Sequence, residues 1–401
     1  MPRPCCGTIF LPSYLVCDSM IRTPANSGIS SIRLRLVAAL QKGLLVVLLA
    51  MVLLSGSVAW TRPAAASLLA SLPPGNAITD GKALLRYSLP IDNKPVRELQ
   101  TSLERMTDAI RARRLAALNR NLDTAKKVLE RKQTELLASI PEDKKPRAEE
   151  LIAELRSGVE DMRADVEAKD KDAIWTKRSA LLNRVGELEE LMVTKFPFEV
   201  PEEYSNLPQL KGRATVAIET TKGTMTVVVD GYNAPITAGN FVDLVQRGFY
   251  DGLEFTRAED FYVVQIGDPP GKEDGFTDPK TQKYRTIPME VMVDGDSKPT
   301  YGITLEDAGL YTAMPALPFS SYGALGMARP ADNVDGGSSQ FFFFLFAAEL
   351  TPAGRNLMDG RYAVFGYVTE NNDVLRELKQ SDKIISAKVI QGAENLVQPA
   401  S

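Results

Sequence analysis

The 401-residue chain contains no histidine. That absence excludes imidazole acid–base chemistry, Ser-His-Asp triads and histidine-ligated zinc together. The three cysteines, Cys5, Cys6 and Cys17, all lie near the start. The remainder therefore has neither a disulfide framework nor a thiol nucleophile, and cysteine usage is silent on redox compartment. Glycine is missing from Lys82 to Ser157, so nothing in that stretch carries glycine's cost to a helix interior. At this length two or three domains are expected, and 44% apolar residues is ordinary for globular protein.

Charge is also scarce in one place, the apolar run Leu44 to Leu54. Arg33, Arg35 and Lys42 precede it and Ala64-Ala65-Ala66 follows it, the pattern of an export signal with a small-residue cleavage site. The alternative is an uncleaved anchor, but the run is shorter than the ~20 residues a spanning helix needs. No Arg-Arg pair precedes it, which points to the general secretory route, and Met20 offers an alternative start. Removal of residues 1–66 takes away six basic residues and one acidic residue, leaving a net charge of −9. So acidic a chain is a poor partner for nucleic acid.

Within the glycine-free stretch, Val96, Leu99, Leu103, Met106 and Ile110 recur at steps of three and four. The stripe continues through Leu115, Leu118, Leu122, Ala125 and Leu129, returns at Ile152, Leu155, Val159, Met162 and Val166, and again at Leu181, Val185, Leu188 and Met192. These are core faces of amphipathic helices. Pro95 suits a first helical turn, Pro141 to Pro146 breaks the pattern, and Asp170 or Asp172 caps the last helix. Breaks at these places favour an antiparallel bundle over one long coiled coil. The cluster Arg111, Arg113, Arg114 and Arg120 reads as a solvated face, or else as a docking patch for acidic loops or anionic lipid.

Pro197, Pro201 and Pro208 then form a linker. Beyond it the period changes to two. Ala214–Glu219 and Thr224–Val229 flank Thr221-Lys222-Gly223 as a hairpin, and residues 240–245 suggest a short helix. Thr286–Val293 reads as a strand, Thr304–Leu310 as a short helix, Asp294-Gly295-Asp296 as a turn, and the run from Phe341 to Phe346 as a buried strand with Phe342 and Phe344 on one face.

Five segments carry chemistry in combination. They are 235–241, the decapeptide Gly248-Phe249-Tyr250-Asp251-Gly252-Leu253-Glu254-Phe255-Thr256-Arg257, Gln265-Ile266-Gly267-Asp268-Pro269, Gly337-Ser338-Ser339-Gln340-Phe341-Phe342, and 358–366. In this order the chain resembles the cyclophilin-type peptidyl-prolyl cis-trans isomerases over roughly residues 213–392. The resemblance implies a closed eight-stranded β-barrel capped by two helices, behind the N-terminal antiparallel helical bundle. The expected layout is a presequence (1–66), an N-terminal segment (67–90), the bundle (91–196), the linker (197–211), a cyclophilin-like domain (212–395) with an insertion near 271–321, and a tail (396–401).

Rotation about an X-Pro bond is opposed by about 18–20 kcal/mol of amide resonance. Lowering that barrier requires an apolar pocket for the ring and a donor aimed at the twisted amide, and no cofactor or metal. A permanently charged guanidinium suits the second task. By the resemblance, Arg257 is the catalytic donor, Gln265 holds substrate backbone and Phe342 lines the proline pocket. The same resemblance assigns Tyr262, Val263, Gln340, Leu357 and Tyr362 to substrate binding. Several of these depart from the family: Tyr262 replaces phenylalanine, Val263 methionine, Leu357 tryptophan and Tyr362 histidine, while Thr256 stands where a histidine is usual. An asparagine is missing near Arg329, and the loop to Gln340 is longer. Weaker grip on proline is the expectation.

The bundle, the insertion and the export signal together resemble the thylakoid-lumen cyclophilins of plants and cyanobacteria, multidomain proteins linked to photosystem II assembly and maintenance. Implied partners are proline-containing polypeptides, with lumenal loops of photosystem II subunits foremost, and membrane association through those partners. The implied location is the thylakoid lumen, or the periplasm. Two readings stay open, a peptidyl-prolyl isomerase and a catalytically weak chaperone that binds loops. The short linker also places the bundle within reach of the groove, so an intramolecular bundle–barrel contact is expected.

Overall fold

The computed structural model describes residues 78–346 and 356–399. The expected export signal and the Ala64–Ala66 cleavage site lie outside the described residues.

Three helices of the N-terminal region begin at a side-chain cap. Asp80 accepts a hydrogen bond from Lys82 N at 2.9 Å and opens α1 (Gly81–Tyr87). Asn93 accepts from Val96 N at 3.0 Å at the head of α2 (Lys94–Glu104), with Pro95 in its first turn. After α3 (Met106–Arg111), α4 (Leu115–Arg131) and α5 (Gln133–Leu137), Pro141 leads into a 3-10 turn at Glu142–Lys144. Pro146 lies in the first turn of α6 (Lys145–Ala168), so it belongs to the helix and not to the break. Lys169, with φ +57°, ends α6. Asp170 then accepts from Ala173 N at 3.0 Å and opens α7 (Lys171–Leu191). The four apolar stripes meet in one core, in which Val96, Leu122, Leu155 and Val185 have no exposed surface. Stripes folded back on one another share a core in this way; a single extended coil does not.

The C-terminal region is a curled, antiparallel, eight-stranded sheet. Its strands are β2 (Arg213–Thr220), β3 (Gly223–Asp230), β4 (Arg257–Glu259), β5 (Val263–Ile266), β8 (Ala324–Met327), β9 (Phe341–Phe344), β10 (Val364–Glu370) and β11 (Ile384–Gln391), in the order β11-β2-β3-β10-β8-β9-β5-β4. Two small sheets accompany it, β1 (Gln209–Leu210) with β12 (Leu396–Val397), and β6 (Glu290–Val291) with β7 (Thr300–Tyr301). Beside the two end strands the chain is linked, since Gly252 N donates to Ile384 O at 2.7 Å and Phe255 N to Asp382 O at 2.8 Å. The α-helix α8 (Pro235–Gln246) lies against the inner face, with Phe241 edge-on to Phe341 at 5.1 Å between centroids. A 3-10 turn, Asn372–Arg376, follows β10.

The insertion departs from its expected elements. Only Glu290–Val291 of the expected 286–293 strand is paired as a strand, with the two-residue Thr300–Tyr301; Ile287 and Val293 make single bridges instead, to Gly337 and Pro315. Residues 304–310 form a turn and not a helix: Thr304 Oγ1 accepts from Asp307 N at 3.0 Å and donates to Asp307 Oδ2 at 2.7 Å. Asp294-Gly295-Asp296 is a turn, with Gly295 at φ +93°. The phenylalanine run is strand from Phe341 to Phe344.

Helical region and sheet meet through buried polar groups. Arg213 on β2 donates to Asp230 Oδ2 at 2.7 and 2.9 Å and to Glu190 Oε1 on α7 at 3.2 Å. It also donates to Leu85 O and Ser88 Oγ at the end of α1. Above this cluster Tyr232 stacks on Phe196, their centroids 6.4 Å apart. On its other side α1 drives Leu84 and Leu85 into an apolar cluster with Val263, Phe342, Phe344 and Tyr367. Gly81 permits that approach, since a Cβ there would lie 2.7 Å from Tyr367 Cβ.

Two buried carboxyls serve the packing. Glu189 on α7 accepts from Arg97 Nη1 at 3.1 Å, and burial pushes it up to about 8. Glu290 caps α8 from a distance, accepting from Ile236 N at 3.1 Å and from Thr237 N and Oγ1 at 2.9 Å. Burial pushes it up to about 7 against the pull of these donors. Because both folded-state values lie above the ordinary carboxylate value of about 4.3, the native protein holds protons that the unfolded chain releases. Their stabilising contribution is complete below the unfolded value and is lost as pH rises toward 7 to 8. Carboxylates held low by partners, such as Glu160 by Lys126, lose their contribution only below about pH 5. Tm is therefore expected to rise as pH falls from 8.5 to 5.5. Each carboxyl adds a slope of at most about 1.4 kcal/mol per pH unit. Glu189→Gln and Glu290→Gln should each flatten the profile; a thermal scan across pH with unchanged slope in both variants would refute this account.

Candidate functional site

Strand register assembles the site. On the last four strands of the sheet order, Arg257 lies opposite Gln265, Gln265 opposite Phe342, and Phe342 opposite Gly326. The period of two sorts their neighbours. Val264, Ile266, Phe341 and Phe343 point into the main core, while Val263, Phe342 and Phe344 join the cluster on the outer face. Gly326 leaves room for the Phe342 ring, whose Cζ would lie 2.4 Å from a Cβ at that position. A charged donor, an amide and an aromatic ring thus stand in one row across three strands.

Around that row the side chains are held in specific ways. Arg257 Nε donates to Glu259 Oε1 at 2.7 Å, both residues facing the same side of β4, and the guanidinium lies 5.4 Å from the Tyr262 ring. This hydrogen bond holds the Glu259 carboxyl below its ordinary range. Gln265 Nε2 donates to Gln340 Oε1 at 2.7 Å, and Gln340 Nε2 donates to Asp274 O at 2.7 Å. Tyr362 stands edge-on to Phe342 at 5.6 Å, beneath the Arg329 guanidinium at 5.1 Å. Tyr262 is 38% exposed, and its hydroxyl donates to Met358 Sδ at 3.8 Å. Val263 is buried in the outer cluster beside Leu84 and Leu85. Thr256, where a histidine was expected, donates its N–H to Gln265 O at 3.0 Å. Arg257, Tyr262, Gln265, Gln340, Phe342 and Tyr362 are therefore brought together. Leu357 stands apart, 84% exposed on the far side of its loop.

Three contributors escaped the sequence reading. Phe319, from the insertion, stacks on Phe342 at 5.8 Å with rings 7° apart, held by Phe319 N donating to Asp359 Oδ1 at 2.7 Å. No periodicity marks a loop residue that reaches across in this way. Met358 packs with the Phe342 cluster in the place assigned to its neighbour Leu357. Glu259 was visible as the residue two beyond Arg257 on a strand, which is the spacing that puts both on one face.

What the row is able to do chemically follows from its parts. It offers no nucleophile and no titrating base; it offers donors, an apolar ring and an exposed edge. Such a set binds and polarises a peptide without bonding to it.

Comparison with known proteins agrees with this chemistry. Residues 215–394 match the family model described as cyclophilin type peptidyl-prolyl cis-trans isomerase/CLD. Residues 80–193 match the PsbQ-like domain of CYP38-like peptidyl-prolyl cis-trans isomerases. A putative thylakoid lumen peptidyl-prolyl cis-trans isomerase of Synechocystis sp. is 53% identical over 363 residues, covering 89% of this chain and 96% of that protein. The chloroplastic peptidyl-prolyl cis-trans isomerase CYP38 of Arabidopsis thaliana is 48% identical, covering 83% of this chain and 78% of that protein. The chloroplastic CYP37 of the same plant is 31% identical, covering 85% and 75%. With a PsbQ-like helical region ahead of the curled sheet that carries Arg257, Gln265 and Phe342, the chain belongs to the cyclophilin-type peptidyl-prolyl cis-trans isomerase family.

Proposed function

We propose that the row Arg257–Gln265–Phe342 is the isomerase site of this chain and that its substrates are exposed X-Pro segments of other polypeptides. The observation that carries the reading is the register, which sets donor, amide and ring side by side on the outer face. The proline ring rests on Phe342 and Tyr362, Gln265 holds the backbone, and Gln340 and Tyr262 border the groove. Arg257 donates to the prolyl nitrogen as the amide twists. That nitrogen accepts a hydrogen bond only once resonance is lost, so the contact forms in the transition state and lowers the barrier. In this reading the curled sheet is a closed barrel, with α8 and the 372–376 turn as its caps.

The names of the relatives support a location in the thylakoid lumen after removal of the presequence. There the clients are lumenal loops of photosystem II subunits, and the role is to assist assembly and maintenance. Attachment to the membrane runs through those clients; among the described residues no helix is long and apolar enough to cross a bilayer.

Two observations favour the second reading, a weakly catalytic chaperone. Arg257 is engaged by Glu259, and Phe342 is only 4% exposed beneath Phe319 and Tyr362. A substrate must share the guanidinium with a carboxylate and displace part of the aromatic cover. Glu259 thus sets the catalytic rate below what the row itself allows.

In a protease-coupled assay on the full chain, Arg257→Ala is expected to lower kcat/KM about 100-fold, the usual effect of removing a transition-state donor. An uncatalysed rate that Arg257→Ala leaves unchanged, together with retained peptide binding, would overturn the isomerase reading in favour of the chaperone. Glu259→Gln removes the competing charge and should raise kcat/KM severalfold with little change in Tm, since the pair is exposed and screened by solvent. A fall in kcat/KM would mean that Glu259 positions Arg257 and does not restrain it.

A further inference from the structure

The loop 356–361 has two sides. One belongs to the row, since Met358 accepts from Tyr262, Arg361 O accepts from Arg329 Nη2 at 2.9 Å, and Asp359 holds Phe319 over Phe342. The other side faces the insertion turn. Leu305 N donates to Gly360 O at 3.0 Å, and Glu306 pairs with Arg361 at 2.6 Å. Gly360, at φ +75°, lies so near that a Cβ there would be 2.8 Å from the Leu305 side chain. Between the turn and the loop lies a cavity of about 280 Å³, lined by Leu305, Leu310, Tyr311, Met314 and Leu357. That is close to the lower end of small-ligand sites. Leu305 is buried at its base, whereas Leu357 and Tyr311 are 84% and 72% exposed. The Glu306–Arg361 pair at the same site has its charges matched, and the polar lining residues Asn356 and Asp359 already accept from Met358 N and from Phe319 N and Asn356 N, so the rest of the lining is apolar.

We propose that this cavity is a second subsite for the polypeptide substrate, taking an aliphatic or aromatic side chain of the same extended segment whose proline rests on Phe342. Continuity decides the occupant. The 356–361 loop walls both pockets, Leu357 on one side and Met358 on the other, so a strand leaving the prolyl row along this loop meets the cavity next. At about 3.3 Å per residue, an extended segment reaches across one loop within a few residues. The insertion would thereby convert a general X-Pro site into one selective for proline near an apolar residue. The identity of the chain on Phe342 rests on the isomerase reading; the cavity's preference for an apolar side chain does not.

The test is a position scan with the full chain. Fluorescent alanine-based peptides with a single proline carry one leucine or phenylalanine at each of four positions on either side, and affinity is read by anisotropy. One position should gain about 10-fold or more over the all-alanine peptide, the yield of burying one such side chain. The double variant Leu310→Asp/Met314→Gln should abolish that gain, leave the all-alanine proline peptide unchanged, and keep the wild-type Tm. Absence of a favoured position, or a gain that the double variant leaves intact, overturns the subsite. A proline-free peptide with the same leucine separates the two readings. If it binds as well as its proline parent and loses 10-fold in the double variant, the subsite stands and the prolyl reading falls. If neither peptide responds to the variant, the subsite itself fails.

Discussion

The arrangement depends on one buried guanidinium, that of Arg213. Its side chain and the Asp230 carboxylate are 9% and 0% exposed, and their 2.7 Å contact lies where three parts of the chain converge. Asp230 ends β3, Glu190 belongs to α7, and Leu85 and Ser88 belong to α1 and its cap. A buried pair of this kind contributes little net stability beyond what apolar packing would supply, but removal of one partner strands the other at about 3–5 kcal/mol. Its value here is positional. Ser88 Oγ and Asn233 Nδ2 complete the cluster, at 3.3 Å to Asp230 and 3.1 Å to Ser88 O respectively. With α1 fixed at its C-terminus, Leu84 and Leu85 are set against Val263 and Phe342. The helical region therefore contributes to the packing beside the row Arg257–Gln265–Phe342 without supplying any residue to it.

Within the row the same logic holds at smaller scale. Gln265 is held by Gln340, Gln340 by Asp274, and Tyr362 by Arg329, so each group that would touch a peptide is already oriented by a second. Arg257 is the exception, because its partner is a carboxylate on the same strand face. Orientation and competition are then supplied by one contact. Phe319 adds a further cover that the sheet alone does not provide.

The helical stripes were legible because a period of 3.6 is a local property. Val96 to Ile110 or Ile152 to Val166 need no knowledge of partners, and all of these residues are buried. The hairpin at Thr221-Lys222 and the alternation through Phe341–Phe344 were legible for the same reason. The site was read from motif resemblance, and register then explained why those motifs matter. What stayed hidden is nonlocal. Glu290 caps α8 across more than fifty residues, Phe319 reaches Phe342 from an insertion, and Leu84 and Leu85 seal the sheet from ahead of the bundle. Leu357 shows the limit of counting along a motif. It holds the position expected of a pocket wall, yet it is 84% exposed and lines the cavity against the insertion, while Met358 packs on the Phe342 cluster.

The missing histidines, finally, constrain how pH acts on this molecule. A guanidinium keeps its charge across the accessible range, and twisting an amide requires no proton transfer. The row therefore lacks a group that titrates near neutrality. Glu259, held low by Arg257, stays ionised there too, so the competition for the guanidinium is constant. Glu189 and Glu290, pushed by burial up to about 8 and about 7, sit in the packing and not in the groove. Glu290 joins the insertion to α8, and the insertion supplies both Phe319 and the turn at 304–310. Protonation of Glu290 thus bears on the elements that stand around the row. The chain separates the chemistry of the bond from the conditions under which the groove is held together.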